Sequence, residues 1–276
     1  MLHIVTDSSC DLPKNILEEN NIKVVPLTIS IDGKDYKEGV DISAEEFHKK
    51  MLTSKELPKT SQPSPINFAK AFEEFSEEDS ILCMTISCGI SGTYQSASLG
   101  RDMCKNKDNI FIFDTLAGSL GHGIQILKAN KMSLEGKPVS TIIEELEKIK
   151  NETTIFILLD TLDNIVKGGR LSKFKGTLAS ILDIKTILEG INGKVELIEK
   201  VRGKKKFINK TIESIGNKCS DFSDKVFGIT HVSDLDDALL LKKLIIENFN
   251  PKDVIINTMG CTMSTYAGKN GMIISF

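Results

Sequence analysis

Metal-binding and redox spacings are missing from this sequence. Its six cysteines (Cys10, Cys83, Cys88, Cys104, Cys219 and Cys261) are scattered, and none belongs to a C-x-x-C pair. That pattern excludes a zinc ribbon, and a chain of this size needs no disulfide framework. The four histidines (His3, His48, His122 and His231) make no H-E-x-x-H or comparable spacing, so no metal site is expected. G-x-x-x-x-G-K-[ST] occurs nowhere, which removes a self-sufficient kinase from the list of activities. Gly118-Ser-Leu-Gly121-His-Gly123 has the wrong order for a dinucleotide fingerprint, and close helix packing accounts for its glycines equally well. No cofactor is therefore expected. An excess of positive charge is lacking too: the net charge of −3 and pI near 5.9 argue against a nucleic-acid partner. No apolar run approaches the roughly 18 residues of a membrane span. The N-terminus enters a strand and meets Asp7 without a basic segment, so no signal peptide is expected and the expected location is the cytoplasm.

What remains is an ordinary soluble composition, 276 residues with 40% hydrophobic and 26% charged, enough for one large or two ordinary domains. The chain is organised around residues 81–97. An apolar, β-branched run from Ile81 reads as a buried strand, and from Thr93 the spacing is helical. Between them lies a turn of glycine and hydroxyl residues, Ser87-Cys-Gly89-Ile-Ser91-Gly92. A strand feeding a helix through such a turn aims the first unpaired N–H groups at one point and favours a carboxylate or phosphate oxygen there. Ser91 as a simple N-cap is the competing reading.

Further strands are expected at residues 3–6, 23–31 (ending in the hairpin signal Asp32-Gly33), 34–37, 109–114 and 153–159. Helices are expected after Asp11-Leu-Pro13, with Asp11 as cap, after the capping box Ser43-Ala-Glu-Glu46, from Pro65, from about Ser119 and from Ser140. Residues 57–65 are too proline-rich for regular structure. Alternating strands and helices make residues 1–160 a parallel α/β domain, whose ligands bind at the carboxyl ends of strands. Asp7-Ser8-Ser9, residues 87–93 and Asp114-Thr115 all fall at such ends, and that agreement favours the anion site over the cap. From Thr161 the texture changes, and strands at 184–188, 194–201, 226–232, 254–257 and 272–276 with helices at 205–219 and 235–249 predict an α+β domain over residues 161–276, with a mixed or antiparallel sheet.

Three motifs leave alternatives open. Gly89-Ile-Ser91-Gly92-Thr93 is a near miss for the G-x-S-x-G elbow of serine hydrolases, with His231 later in the chain. Gly168-Gly169-Arg170 is either a helix C-cap with a surface arginine or a backbone that approaches a ligand beside a planar, anion-binding fork. Lys200, Arg202, Lys204, Lys205 and Lys206 crowd a helix start, where the dipole disfavours cations; this is a solvated face or a patch for an anionic partner or lipid surface.

Together these residues resemble the DegV family, which includes the fatty-acid-binding subunits of the bacterial fatty acid kinase system. The likeness rests on Thr6-Asp7-Ser8, Thr60-Ser61-Gln62-Pro63-Ser64-Pro65, Ser91-Gly92-Thr93-Tyr94-Gln95-Ser96-Ala97, Asp114-Thr115, Lys167-Gly168-Gly169-Arg170-Leu171-Ser172, residues 184–188 and the tail from Gly260-Cys261-Thr262. It implies two domains with a ligand cleft between them, and a long-chain fatty acid buried in a tunnel. The acid head would lie in a cradle of Thr60, Ser61, Ser91, Gly92, Thr93 and Tyr266, with Arg170 and Arg202 facing the phosphoryl group or the partner. A separate kinase subunit would convert the carboxylate to an acyl phosphate for phospholipid synthesis; the chain itself would not be catalytic, and its contact with membrane would be peripheral. The tail departs from the family pattern of His, then Ala or Thr, then Gly-Pro-Gly: here it reads Tyr266-Ala267-Gly268-Lys269-Asn270. A phenol offers a hydrogen bond but not imidazole's proton chemistry near neutral pH. Outside the family, the alternatives are a Ser91 hydrolase and a small-molecule regulatory module.

Overall fold

The computed structural model describes residues 1–171 and 184–276. Along the first half run β1 (Leu2–Asp7), a 3-10 turn (Ser8–Cys10), α1 (Lys14–Glu19), β2 (Lys23–Val25), β3 (Thr28–Ile31), β4 (Lys34–Lys37), α2 (Ala44–Thr53) and β5 (Lys59–Ser61). Next come α3 (Pro65–Phe72), β6 (Ser80–Thr85), α4 (Thr93–Asp102), β7 (Ile110–Asp114), α5 (Ser119–Leu134), α6 (Val139–Glu152) and β8 (Ile155–Leu159). The rest comprises α7 (Asp163–Lys167), β9 (Ile184–Ile191), β10 (Lys194–Arg202), α8 (Lys204–Gly216), β11 (Val226–His231), α9 (Leu235–Phe249), β12 (Asp253–Thr258), α10 (Cys261–Ala267) and β13 (Met272–Ser275).

These strands build a parallel sheet of order β2-β1-β6-β7, a mixed sheet of order β10-β9-β8-β13-β11-β12, and a small antiparallel sheet of order β4-β3-β5. The fold is thus mixed α/β, with its parallel sheet first and its mixed sheet later, as expected. Among the strand pairs described in the mixed sheet, only β11 and β12 run parallel.

Helix α5 lies between the two large sheets, which explains its glycines. A Cβ at Gly121 would stand 3.0 Å from Ile155 Cδ1, and one at Gly123 2.7 Å from the Cys10 carbonyl. Leu120, fully buried, packs with Ile4, Leu82 and Met84 under the parallel sheet and closes against Gly228 of β11 on its other side. The close packing of helix on backbone leaves no room for side chains there.

Four local expectations are corrected. Strand β8 does not extend the parallel sheet: it pairs antiparallel with β13 and β9, because a strand buried at all five positions carries no mark of its direction or neighbours. Residues 23–31 are two strands in different sheets, broken at Pro26, which has no N–H to give a ladder. Within the proline-rich stretch 57–65, residues 59–61 form β5, an edge strand of the size that flanking prolines tolerate. Asp11 is not a helix cap. It takes a left-handed conformation (φ 52°), its carboxylate turns inward, and the N-cap of α1 is Pro13, which offers no side-chain cap. Ser64 does cap α3, and Asp32-Gly33 forms its hairpin turn with both residues at positive φ. Ser172, in the Lys-Gly-Gly-Arg motif, lies outside the described residues.

Candidate functional site

A cavity of about 330 Å³ opens where the ends of the strands from all three sheets meet α10. Its floor is apolar and comes from both halves of the chain: Leu27 and Ile86 from the first, Ile157, Val195 and Ile273 from the mixed sheet. Its mouth is polar, formed by Thr60, Ser61, Gln62, Ser91, Gly92, Arg170 and Tyr266. The sequence had distributed these residues over four separate motifs.

Thr60, on edge strand β5, is held opposite Ile29 of β3, and its Oγ1 meets the Tyr266 hydroxyl at 2.5 Å, either group donating. Tyr266 projects from α10, and the Arg170 guanidinium stands 4.8 Å from the centre of its ring, a cation–π contact. The first glycine of the Lys-Gly-Gly-Arg motif explains itself here, since a Cβ at Gly168 would strike the Tyr266 ring. Gly169 supplies the positive φ (73°) that turns the chain into Arg170. The arginine fork donates to two carbonyls, Nη1 to Gly168 at 2.6 Å and Nε to Ile90 at 3.4 Å, and so ties the loop after α7 to the loop before α4.

Ser91 sits one residue ahead of the helix cap. The N-cap of α4 is Gly92, which offers no side chain. The Ser91 hydroxyl pairs with Thr93 Oγ1 at 2.8 Å and accepts a long bond from the Thr93 N–H at 3.3 Å. Among the described residues the Gly92 N–H has no partner. Thr93 is buried behind Ser91, outside the cavity lining, as the support of its hydroxyl. The loop is shaped from behind by carboxylates: Asp7 Oδ2 accepts from the Ile86 N–H at 2.8 Å, and Asp114 Oδ1 from Cys88 and Leu116 N–H at 3.2 and 3.0 Å. The acids at the strand ends therefore position backbone and do not face the cavity. The hairpin turn at Gly193 docks onto this loop, its carbonyl accepting from Ser87 Oγ at 2.6 Å, and a Cβ at Gly89 would collide with it.

Arg202 is not brought to this mouth. It is exposed at the far end of β10, seven residues or about 23 Å along the strand from Val195. The cationic helix start beside it is partly offset internally, since Lys204 pairs with Asp237 at 2.6 Å. Nor does His231 approach Ser91 as a triad would require. Its Nδ1 accepts the Asp234 N–H at 3.2 Å, and the described residues give Ser91 no histidine partner. Gln62, in a motif that drew attention only to its hydroxyls, was missed: its side-chain amide fills the space that a Cβ on Gly92 would take. The lining isoleucines had no signal, because Ile157 lies in a strand buried on both faces and alternation does not single it out.

Comparison with known proteins agrees with this architecture. The profile described as "Uncharacterised protein, DegV family" matches residues 1–276. A DegV domain-containing protein of Caldanaerobacter subterraneus is 37% identical over 283 residues, covering 99% of this chain and 97% of that one. Among solved structures, a DegV-family protein from Ruminococcus gnavus refined with vaccenic acid superposes with a TM-score of 0.92 at 26% identity, covering 100% of this chain and 99% of the other. A DegV-family protein from Thermus thermophilus, described for its fatty-acid binding, gives 0.92 at 27% identity with the same coverage.

Proposed function

The chain belongs to the DegV family, and from that premise we propose that it carries one long-chain fatty acid and presents the acid head to a separate kinase subunit. The supporting observation is one cavity whose deep walls are aliphatic and whose mouth holds two hydroxyls and a backbone N–H that has no partner among the described residues. The alkyl tail lies along Leu27, Ile157, Val195 and Ile273, and the carboxylate accepts from Thr60, Ser91 and the Gly92 N–H. Burying about fifteen methylenes at roughly 0.8 kcal/mol each contributes on the order of 12 kcal/mol. Lost rigid-body and chain freedom offsets several of these. Tight binding then needs only modest help from the head, which uncharged donors can give.

In this reading no general base is needed, because the carboxylate is already a nucleophile. One of its oxygens attacks the terminal phosphorus of ATP held by the kinase; the bond from that phosphorus to the ADP oxygen breaks, and an acyl phosphate remains in the mouth for phospholipid synthesis. Arg170 faces the head from a second, open depression of about 490 Å³ outside Ser91 and Gly92, where the phosphoryl group would enter. Arg202, further along β10, faces the kinase. The carrier works in the cytoplasm and touches membrane only peripherally. Native mass spectrometry of gently purified protein is expected to show a retained C14 to C18 acid. Protein that is empty and takes up no added palmitate would overturn the proposal.

A further inference from the structure

One buried acid is bound up with the mouth without lining it. Glu38 follows β4, is 5% exposed, and accepts three hydrogen bonds. Its Oε2 accepts from Ser8 Oγ and from Thr262 Oγ1, both at 2.6 Å, and its Oε1 from the Thr262 N–H at 2.8 Å. The Glu38 N–H donates to the Leu27 carbonyl at 3.0 Å, and Ser8 Oγ accepts from the Leu27 N–H at 3.0 Å. Three distant segments converge on this residue: the turn after β1 and the first turn of α10 on its carboxylate, and the chain entering β3 on its backbone N–H. Leu27 and Thr262 both line the cavity.

The connection to the mouth runs through two rigid elements. Tyr266 stands four residues after Thr262 on α10, so it lies one turn further along the same face. Thr60 belongs to the same small sheet as the strand that leads to Glu38, with Ile29 of β3 opposite Tyr36 on one side and Thr60 on the other. Glu38 is thus the clamp between the sheet that carries Thr60 and the helix that carries Tyr266. Gly260 completes the fit, since a Cβ there would stand 2.8 Å from Glu38 Oε1.

We propose that Glu38 is a positioning residue for the acid head: by fixing Thr262 to the small sheet it sets Tyr266 against Thr60, and so sets the affinity for a carboxylate. This rests on the fatty-acid reading above. It assigns a role to Ser8 of the Thr6-Asp7-Ser8 motif, which the binding site itself leaves unused.

The test compares palmitate with hexadecanol, which has the same tail and no carboxylate, by calorimetric titration of delipidated full-length protein. Glu38→Gln is expected to weaken palmitate about tenfold, the scale of a hydrogen bond to a charged group, and to change hexadecanol by less than about twofold. In a Tyr266→Phe background the same change is expected to cost less than about threefold, because two residues acting through one contact are not additive. Thr262→Val, which keeps the N–H bond and removes the hydroxyl, is expected to act in the same direction and carries the test if Glu38→Gln does not fold. Equal weakening of both ligands, full additivity with Tyr266→Phe, or unchanged palmitate affinity would each overturn the role of Glu38 while leaving the carrier intact. Wild-type protein that binds neither ligand would overturn the carrier reading, and this inference with it.

Discussion

The wall behind the cavity and the mouth in front of it use the same polar groups to opposite ends. Behind, three carboxylates are buried, and none of them has a cationic partner among the described residues. Glu38 is held by two hydroxyls and one N–H; Asp7 by the Ser9 hydroxyl and by the N–H groups of Ser9 and Ile86; Asp11 by the Ser119 hydroxyl at 2.6 Å and the Gly260 N–H at 3.0 Å. Burial raises the carboxyls of Asp11 and Glu38 above the ordinary carboxylate range, although these hydrogen bonds act to lower them. In front, Thr60, Ser91 and the Gly92 N–H form the set that surrounds Glu38, two hydroxyls and one amide, with no acid among the described residues to receive it. The wall shows how this protein holds an acid group without a counter-ion, and under the proposed function the mouth is a site of the same kind whose acid comes from the ligand.

The comparison breaks most visibly at the wall. Asp7→Ala leaves the Ser9 donors and the Ile86 N–H buried without an acceptor, and is expected to cost about 3 kcal/mol of stability. Thermal unfolding measures it as a drop of about 5 °C for a chain of this length. A drop of under a degree would mean that the wall acids are replaceable by water and that the parallel with the mouth is superficial.

At the mouth, removing both hydroxyls should affect binding and not folding. Thr60→Val with Ser91→Ala is expected to weaken palmitate about a hundredfold while changing the unfolding temperature by no more than about two degrees. Hexadecanol affinity is expected to stay within about threefold, since the tail carries most of the binding energy. Parallel loss of both ligands would place the head elsewhere.

Arg170 sharpens the contrast. Its fork is already engaged by two carbonyls and its plane by Tyr266, so it resembles a brace across the mouth more than a counter-ion. Arg170→Met is therefore expected to leave palmitate affinity within about threefold while lowering kinase-dependent acyl phosphate formation more than tenfold, as loss of a charged contact would. A fall in palmitate affinity as large as that of the Thr60/Ser91 double variant would make the arginine the primary carboxylate partner.

How much of this was legible in the sequence differs between the two regions. The mouth's loop at Ser91 could be read locally, because a buried strand, a glycine turn and a helix follow one another without interruption. At Arg170 the glycines left two readings open, and both features occur: Gly168 is the C-cap of α7, and Arg170 lines the cavity. The wall could not: Asp11 has the look of a helix cap, yet its partners, Ser119 and Gly260, lie 108 and 249 residues away. Glu38 gives no local sign, because its partners come together only when α10 packs onto the small sheet. Arg202 shows a different limit. A basic residue beside a basic run is plain in the sequence, but how far it stands from the mouth depends on the length and path of β10. Local pattern reports the elements, and pairing between distant segments decides which of them meet.

The wall also carries the smallest expected effect, one that appears only with pH. His48 is buried under the loop before α10, its Nε2 bonded to the Met259 carbonyl at 2.9 Å and its Nδ1 3.3 Å from Ser233 Oγ. Burial holds its pKa below the ordinary histidine value, against the opposing pull of the Met259 carbonyl and Glu45. The unfolded chain therefore binds the proton first, and the stability that neutral His48 contributes is present above about pH 6.5 and is lost as the pH falls below it. His122 and His231, lowered by burial in the same way, add to this trend, while Asp11 and Glu38, raised, oppose it. Comparing wild type with His48→Gln cancels all of these to first order, since they are common to both. The stability advantage of wild type over the variant is expected to shrink between pH 7.5 and 5.5, by less than about 1.4 kcal/mol for each unit by which His48 is depressed. An advantage that stays constant or grows on acidification would mean that His48 is charged in the folded protein. The wall would then contain a cation after all, and the likeness between its carboxylate sites and the neutral mouth would fail.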